Sequence, residues 1–221
     1  MSTLAHGDTA WEAAYRRFET PAAEVRKFTR RLRRLGAAAW PRDAEIAELF
    51  CGRGNGLVAL DRLGFGRLTG VDRSPALLAD YDGPATRVAA DARDLPFVDR
   101  SFDVVIVQGG LHHLERLPDD LDRVLAEAAR VLRPGGRLVA VEPWATPFLA
   151  LAHAACRCAP LRAAWPKIDA LAGMIERERA TYDAWLASPA LVRESLATHF
   201  GRSRSWTARG KLYFEGRKRR A

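Results

Sequence analysis

Cysteine is scarce in this 221-residue chain, and lysine nearly as scarce. The cysteines are Cys51, Cys156 and Cys158, an odd and sparse set that excludes a disulfide framework and fits a reducing compartment. On a helix, Cys156 and Cys158 would lie about 200° apart, and His153 beside them finds no fourth ligand, so no bound metal is expected. Lysine occurs only as Lys27, Lys167, Lys211 and Lys218, which leaves the formal net charge of +8 to arginine. In an alanine-rich chain a GC-rich genome produces that bias without any ligand, so nucleic acid is possible but not the favoured partner. No apolar run is long enough to span a bilayer, and the opening MSTLAHGDTAWEAAYRRF has no apolar stretch of signal-peptide type. A cytoplasmic location without a membrane span is the expectation.

What is present suits one domain with a full core and a small cap. Residues 1–43 read as an N-terminal helical segment. Trp11, Ala14, Tyr15 and Phe18 recur at helical spacing over 9–18, and Thr20-Pro21 resembles an N-cap with a first-turn proline, opening a helix to about Leu35. Val25, Phe28, Leu32 and Leu35 form one stripe, which should dock on the sheet near the ligand site. The remaining positions, Arg26, Lys27, Arg30, Arg31, Arg33 and Arg34, then form a solvated basic face.

From Ala44 to Pro143 short apolar runs alternate with helical stretches, the pattern of a parallel α/β sheet. Strands are predicted at 44–50, 67–72, 86–90, 102–108 and 137–142. A helix between the last two carries Leu117, Leu121, Val124, Leu125, Ala128 and Leu132 on one face, and Pro134-Gly135-Gly136 stops it. Residues 144–200 read as a helical cap over the substrate, with Trp144, Phe148, Leu149, Trp165, Met174, Tyr182 and Trp185 as its apolar content. Residues 201–221 read as a hairpin, Arg202–Ala208 and Lys211–Gly216, completing the sheet and followed by a solvated basic tail, Arg217-Lys218-Arg219-Arg220.

The chemistry gathers where the first strand ends. Glu48-Leu49-Phe50-Cys51-Gly52-Arg53-Gly54-Asn55-Gly56 leads from strand to helix, and its glycines let the backbone turn sharply and approach a ligand closely. Asp72 ends the second strand, twenty residues beyond Gly52, where a carboxylate can accept from both hydroxyls of a ribose. Asp91-Ala92 follows the third strand, and Gln108 leads from the fourth into Gly109-Gly110-Leu111-His112-His113. A nicotinamide dehydrogenase would space its glycines as G-x-G-x-x-G, whereas Gly52, Gly54 and Gly56 alternate.

Taken in order, ELFCGRGNG, GVDRSPALL, AADARDLPF, SFDVVIVQGGLHHL and RVLRPGGRLVAVEPW resemble the class I S-adenosylmethionine-dependent methyltransferases, in the group sharing the type 11 methyltransferase domain. The resemblance runs from about Glu45 to Glu142. It implies a Rossmann-like α/β fold of strand order 3-2-1-4-5-7-6, with strand 7 antiparallel, and S-adenosylmethionine as cofactor. It implies that Glu48 holds the methionine end, that Gly52, Gly54 and Gly56 pass beneath it, and that Asp72 binds the ribose. Arg73 would flank the adenine, Asp91 and Ala92 would bind it, and Gln108 stands where the family has Asn or Asp.

Methyl transfer needs alignment and exclusion of water more than it needs a base. His112 and His113 are the candidates for a base, at the C-terminal sheet edge where α/β folds bind ligands. The function expected is transfer of a methyl group to a small, partly apolar O or N acceptor. Two other readings stand beside it: a methyltransferase acting on RNA or another polyanion, suggested by the basic helix, and a non-catalytic cofactor-binding protein.

Overall fold

The computed structural model of the protein describes residues 9–219. The segment ahead of residue 9, the side chain of Trp11 and Arg220 of the basic tail lie outside the described residues. Two helices, α1 (Thr9–Phe18) and α2 (Pro21–Arg34), lead into the sheet. Then β1 (Ile46–Leu49), α3 (Asn55–Asp61), β2 (Leu68–Asp72), α4 (Pro75–Ala79), β3 (Thr86–Ala89) and β4 (Phe102–Gln108) follow, with α5 (Asp119–Val131) and β5 (Leu132–Pro143) after them. The cap comprises α6 (Pro147–Arg157), α7 (Ala159–Ala164), α8 (Pro166–Arg177), α9 (Arg179–Ala187) and α10 (Pro189–His199), and the hairpin β6 (Phe200–Ala208) and β7 (Lys211–Lys218) ends the fold.

The seven strands form one sheet in the order β3-β2-β1-β4-β5-β7-β6. Strands β1 to β5 pair in parallel, while β7 runs antiparallel to both β5 and β6. The expected order and the antiparallel seventh strand are both found.

Both faces of the sheet are covered, which is why the central strands are continuous apolar runs. Alternate residues of β4 and β5 point opposite ways. Val105, Val107, Leu138 and Ala140 meet α5 and α10 through Leu121, Leu125, Val192 and Leu196. Val104, Ile106, Val139 and Val141 meet α2 and α3 through Val25, Phe28, Leu32, Leu57 and Leu60. The apolar stripe of α2 thus docks on the sheet as its spacing predicts. Thr20 caps that helix, its hydroxyl accepting from the Ala23 N–H at 3.3 Å.

Three local readings need correction. Helix α5 runs only from Asp119 to Val131, so Leu117 and Leu132 are not on it. It stops before Pro134-Gly135-Gly136 because Leu132 is already extended (ψ 141°) and proline pushes the residue before it the same way. Those residues instead begin β5, whose pairing with β4 jumps from Phe102↔Leu132 to Val104↔Arg137 across a bulge. The basic tail is anchored as well as solvated. Lys218 Nζ donates to the Leu132 carbonyl at 2.7 Å and Arg217 to that of Gly135 at 2.8 Å, so β7 continues to Lys218.

Candidate functional site

The glycine loop is shaped by what passes under it. Gly54 has φ +73°, and a Cβ there would run into the Tyr81 ring. At Gly56 a Cβ would occupy the space of the Glu48 carboxylate, so this glycine is what lets that side chain sit against the start of α3. Asp72, at the end of β2, ties the loop to the sheet edge: its carboxylate accepts from Gly52 N–H at 2.7 Å and from Ser74 N–H at 2.9 Å. Burial raises the Asp72 pKa over the opposing pull of those donors.

Glu48 on β1 and Gln108 on β4 face each other across adjacent strands, Gln108 Nε2 donating to Glu48 Oε1 at 3.1 Å. Glu48 Oε2 and Gln108 Oε1 are both buried without a hydrogen-bond partner among the described residues. Burial pushes the Glu48 carboxyl up to about 8. Gln108 therefore contributes its side chain, and the longer residue reaches Glu48 directly.

On the other side of Gln108 the chain turns through Gly109, at φ +88°, into a single 3-10 turn, Leu111–His113. Glu142 near the end of β5 organises this turn. One of its oxygens accepts from the Gly110 and Leu111 N–H groups at 2.9 and 3.0 Å, and the other meets His112 Nδ1 at 2.7 Å. Burial works against its charge, yet His112 and the two N–H donors hold its pKa below the usual carboxylate value. With Glu142 charged, His112 Nδ1 carries the proton and Nε2 keeps its lone pair.

Glu178, between α8 and α9, reaches the same histidines from above. Its carboxylate lies 3.2 Å from His113 Nδ1 and 3.9 Å from His112 Nε2. The two imidazoles, 4.1 Å apart between ring centres, are driven in opposite directions. Burial and the neighbouring His113 lower the His112 pKa; for His113 burial also lowers it, but Glu178, with Glu142 and Asp72, more than offsets the effect. His112 is thus driven toward the neutral form that can accept a proton, and His113 toward its charged form.

A cavity of about 320 Å³ joins these parts. Glu48, Gly52, Asp72, Gln108, His112 and His113, all singled out from sequence, line it together. Gly54 and Gly56, at the start of α3, are not among the cavity's lining residues. Arg73, Asp91 and Ala92 are not among its lining residues: Arg93 grips Asp91 at 2.7 Å, Arg73 stands 3.7 Å from the same carboxylate, and Ala92 is packed in the core. His153, Cys156 and Cys158 do not converge, since His153 Nε2 meets the Tyr182 hydroxyl at 3.1 Å while Cys156 Sγ faces the Ile168 carbonyl.

Glu24, Arg31, Glu178 and Lys211 are among the lining residues not singled out from sequence as parts of the site. Glu24 binds Tyr15, Lys27, Arg53 and Asn55, and so straps α1 and α2 to the glycine loop. Glu178 sits in the charged run Glu176-Arg177-Glu178-Arg179, which reads as a solvated helix end. Arg31 and Lys211 line the cavity too. The α2 basic face is therefore split: Arg26, Arg30, Arg33 and Arg34 are exposed, whereas Lys27 and Arg31 turn inward. A helical wheel cannot make that distinction, because the partner surface is made by the cap and β7.

Known proteins share parts of this arrangement. Residues 47–140 match the family model described as a methyltransferase domain. The chain is 41% identical over 92 residues to a ubiquinone/menaquinone biosynthesis C-methyltransferase of Paracoccus denitrificans, covering 38% of this chain and 35% of that one. It is 42% identical over 97 residues to a demethylmenaquinone methyltransferase of Thermobifida fusca, covering 43% and 38%. The matches span between 20% and 38% of the length of these curated relatives and the others like them. In fold, a protein of Pyrococcus horikoshii OT3 superposes with a TM-score of 0.65 at 18% identity, over 88% of this chain and 91% of that one. A methyltransferase of Thermotoga maritima, described as a possible histamine N-methyltransferase, gives 0.56 at 16% identity over 95% and 93%. Among the described residues no helix is long and apolar enough to cross a membrane.

Proposed function

The chain belongs to the class I S-adenosylmethionine-dependent methyltransferases, and from that premise we propose that it methylates a small, partly apolar acceptor bound between His112 and the cap. One observation carries the reading: the end of β2, the glycine loop, the histidine turn and the cap all open onto a single cavity.

The residues fit the cofactor. Two orphaned buried acceptors, Glu48 Oε2 and Gln108 Oε1, stand side by side and suit a cationic donor with several N–H bonds. The α-ammonium of S-adenosylmethionine is such a group. Asp72, with each carboxylate oxygen already holding one backbone N–H, keeps further lone pairs for ribose hydroxyls. Arg73, just after β2, and Asp91 and Ala92, just after β3, remain the proposed adenine neighbours.

When bound, the cofactor supplies a methyl group on a positively charged sulfur, a good leaving group. The protein's own part is alignment, dryness and a place for the proton. Phe148, Leu149, Met174 and Ile175 wall the acceptor side with apolar surface. His112 Nε2 is placed to take the proton that the acceptor would give up as its lone pair receives the methyl group and the carbon–sulfur bond breaks. Glu142 then steadies the imidazolium through Nδ1. His113, paired with Glu178 through Nδ1, is a positioning residue that packs against the His112 ring.

Binding the ammonium requires Glu48 to give up the proton it holds below about pH 8. Complex formation lowers that pKa, so protons are released, and affinity for S-adenosylmethionine should rise with pH by at most about tenfold per unit. The rise should level off near pH 8, and Glu48→Gln should flatten it. Calorimetry across that range checks this, and a flat profile for the unaltered protein would remove Glu48 from the site.

The activity itself is tested by incubating the protein with methyl-labelled S-adenosylmethionine and a library of small aromatic and aliphatic alcohols, acids and amines. Cofactor binding with label transfer to at least one of them is expected. Cofactor binding without transfer to any would favour a cofactor-binding protein that is not an enzyme, and no cofactor binding would overturn the reading entirely.

A further inference from the structure

Arg31 of α2 and Lys211 of β7 line the same cavity and are both half-buried, and neither side chain makes a hydrogen bond or ion pair with another described residue. Arg31 only rests against the Phe28 ring, 5.5 Å from its centre. The carboxylates nearby are committed elsewhere. Glu19 accepts from Lys27 at 2.6 Å and from Lys167 at 3.2 Å, Glu24 serves Tyr15, Arg53 and Asn55, and Glu178 faces the histidines. An arginine and a lysine held in a half-enclosed space with no carboxylate in contact are unfavourable as cations unless something else supplies the partner.

We propose that the methyl acceptor carries an anionic group, a carboxylate or a phosphate, and that Arg31 and Lys211 hold it. This deepens the methyltransferase reading and rests on it. Burial draws the Lys211 pKa down to about 7, with Arg31 adding to the effect, and burial lowers Arg31 as well. An anion between them would reverse both penalties.

Sheet order assigns the pair to the acceptor rather than to the donor. Asp72 ends β2 and Lys211 begins β7 opposite Pro143, with β1, β4 and β5 between those strands. Four strand spacings separate them, about 19 Å at ~4.8 Å each. Glu48 and Gln108, on β1 and β4, lie between the two ends. The cations therefore face the far side of the histidine turn, where Phe148, Leu149, Leu171, Met174 and Tyr182 complete the wall. An apolar body with one charged end matches that lining. Arginine's planar fork and the lysine point charge suit carboxylate and phosphate oxygens alike.

The test uses the full chain saturated with S-adenosylhomocysteine and titrated calorimetrically with benzoate, phenyl phosphate and neutral benzamide. One anion at least should bind about tenfold tighter than benzamide, the worth of one charge-assisted hydrogen bond. That preference should vanish in both Arg31→Met and Lys211→Met, and whichever anion wins identifies carboxylate or phosphate. S-adenosylhomocysteine affinity in both variants should stay within about twofold, which also reports an intact fold. Benzamide binding as tightly as both anions, no saturable anion binding, or a preference that survives in both variants would overturn the proposal. So would a selective loss of S-adenosylhomocysteine binding in the variants, which would hand the pair to the cofactor's own carboxylate. If the unaltered protein fails to bind S-adenosylhomocysteine, the methyltransferase reading itself falls, and this one with it.

Discussion

Replacing Asp72 with alanine is expected to weaken S-adenosylmethionine binding by roughly a hundredfold or more. Two ribose hydroxyls would lose a charged acceptor, and hydrogen bonds to charged groups contribute about 1.5–3 kcal/mol each. The substitution also strands the N–H groups of Gly52 and Ser74, both of which donate to this carboxylate, so the glycine loop would loosen as well. Asp72→Asn separates the two effects, since its amide oxygen can still accept from one backbone donor while the charge is gone. It should fall between the parent and the alanine variant. Calorimetric titration with near-ultraviolet circular dichroism as a fold control decides the matter. An unchanged dissociation constant in a folded Asp72→Ala protein would put the ribose elsewhere.

The second large effect belongs to His112. A positioned general base contributes about 10²–10⁴ in rate, so His112→Ala should lower kcat by that factor on whichever acceptor the labelled-donor library returns. S-adenosylmethionine affinity should hardly change. The pH profile carries more information. Burial and His113 keep the His112 pKa below its ordinary value, so kcat at saturating S-adenosylmethionine should rise with pH through a limb below 6.5 and stay level at neutral pH. Glu142→Gln removes the negative charge that favours the imidazolium, so the limb should move further toward acid while kcat falls. A limb that moves toward alkali, or full turnover in His112→Ala, would exclude this histidine as the base.

How much of this could be read from residues alone depended on how local each signal was. The glycine loop, Asp72 and the histidine turn are each coded within a few residues of a strand end, so their spacing announced them and the cavity brings them together. The strand order followed from the family resemblance, and the antiparallel hairpin from two apolar runs about a Gly at a turn. Glu178 and Lys211 carried no such signal. One sits in a run of alternating charges and the other begins a strand just after the Arg209-Gly210 turn, and only the packing of cap on sheet turns them inward. Glu24 stands in a helix first turn, where the dipole favours an acid; that it grips Arg53 and Asn55 is a tertiary fact. The bulged start of β5 was missed because Pro134-Gly135-Gly136 punctuates a helix and a strand equally well.

The late pairing of β7 has a consequence for how the chain is made. Strand β5 is synthesised before the whole cap, yet its second neighbour arrives only after it. At about 5–20 residues per second on the ribosome, the run Leu138–Val141 waits several seconds with one edge unpaired, a template for the wrong partner. Once the hairpin closes, the outward edge is β6, where Arg202, Ser203, Arg204 and Ser205 are all exposed. Charge on an edge strand discourages pairing with a neighbouring molecule. The same hairpin that brings Lys211 to the cavity thus exchanges an aggregation-prone border for a guarded one, and chains arrested before it should be the ones that cells lose to inclusion bodies.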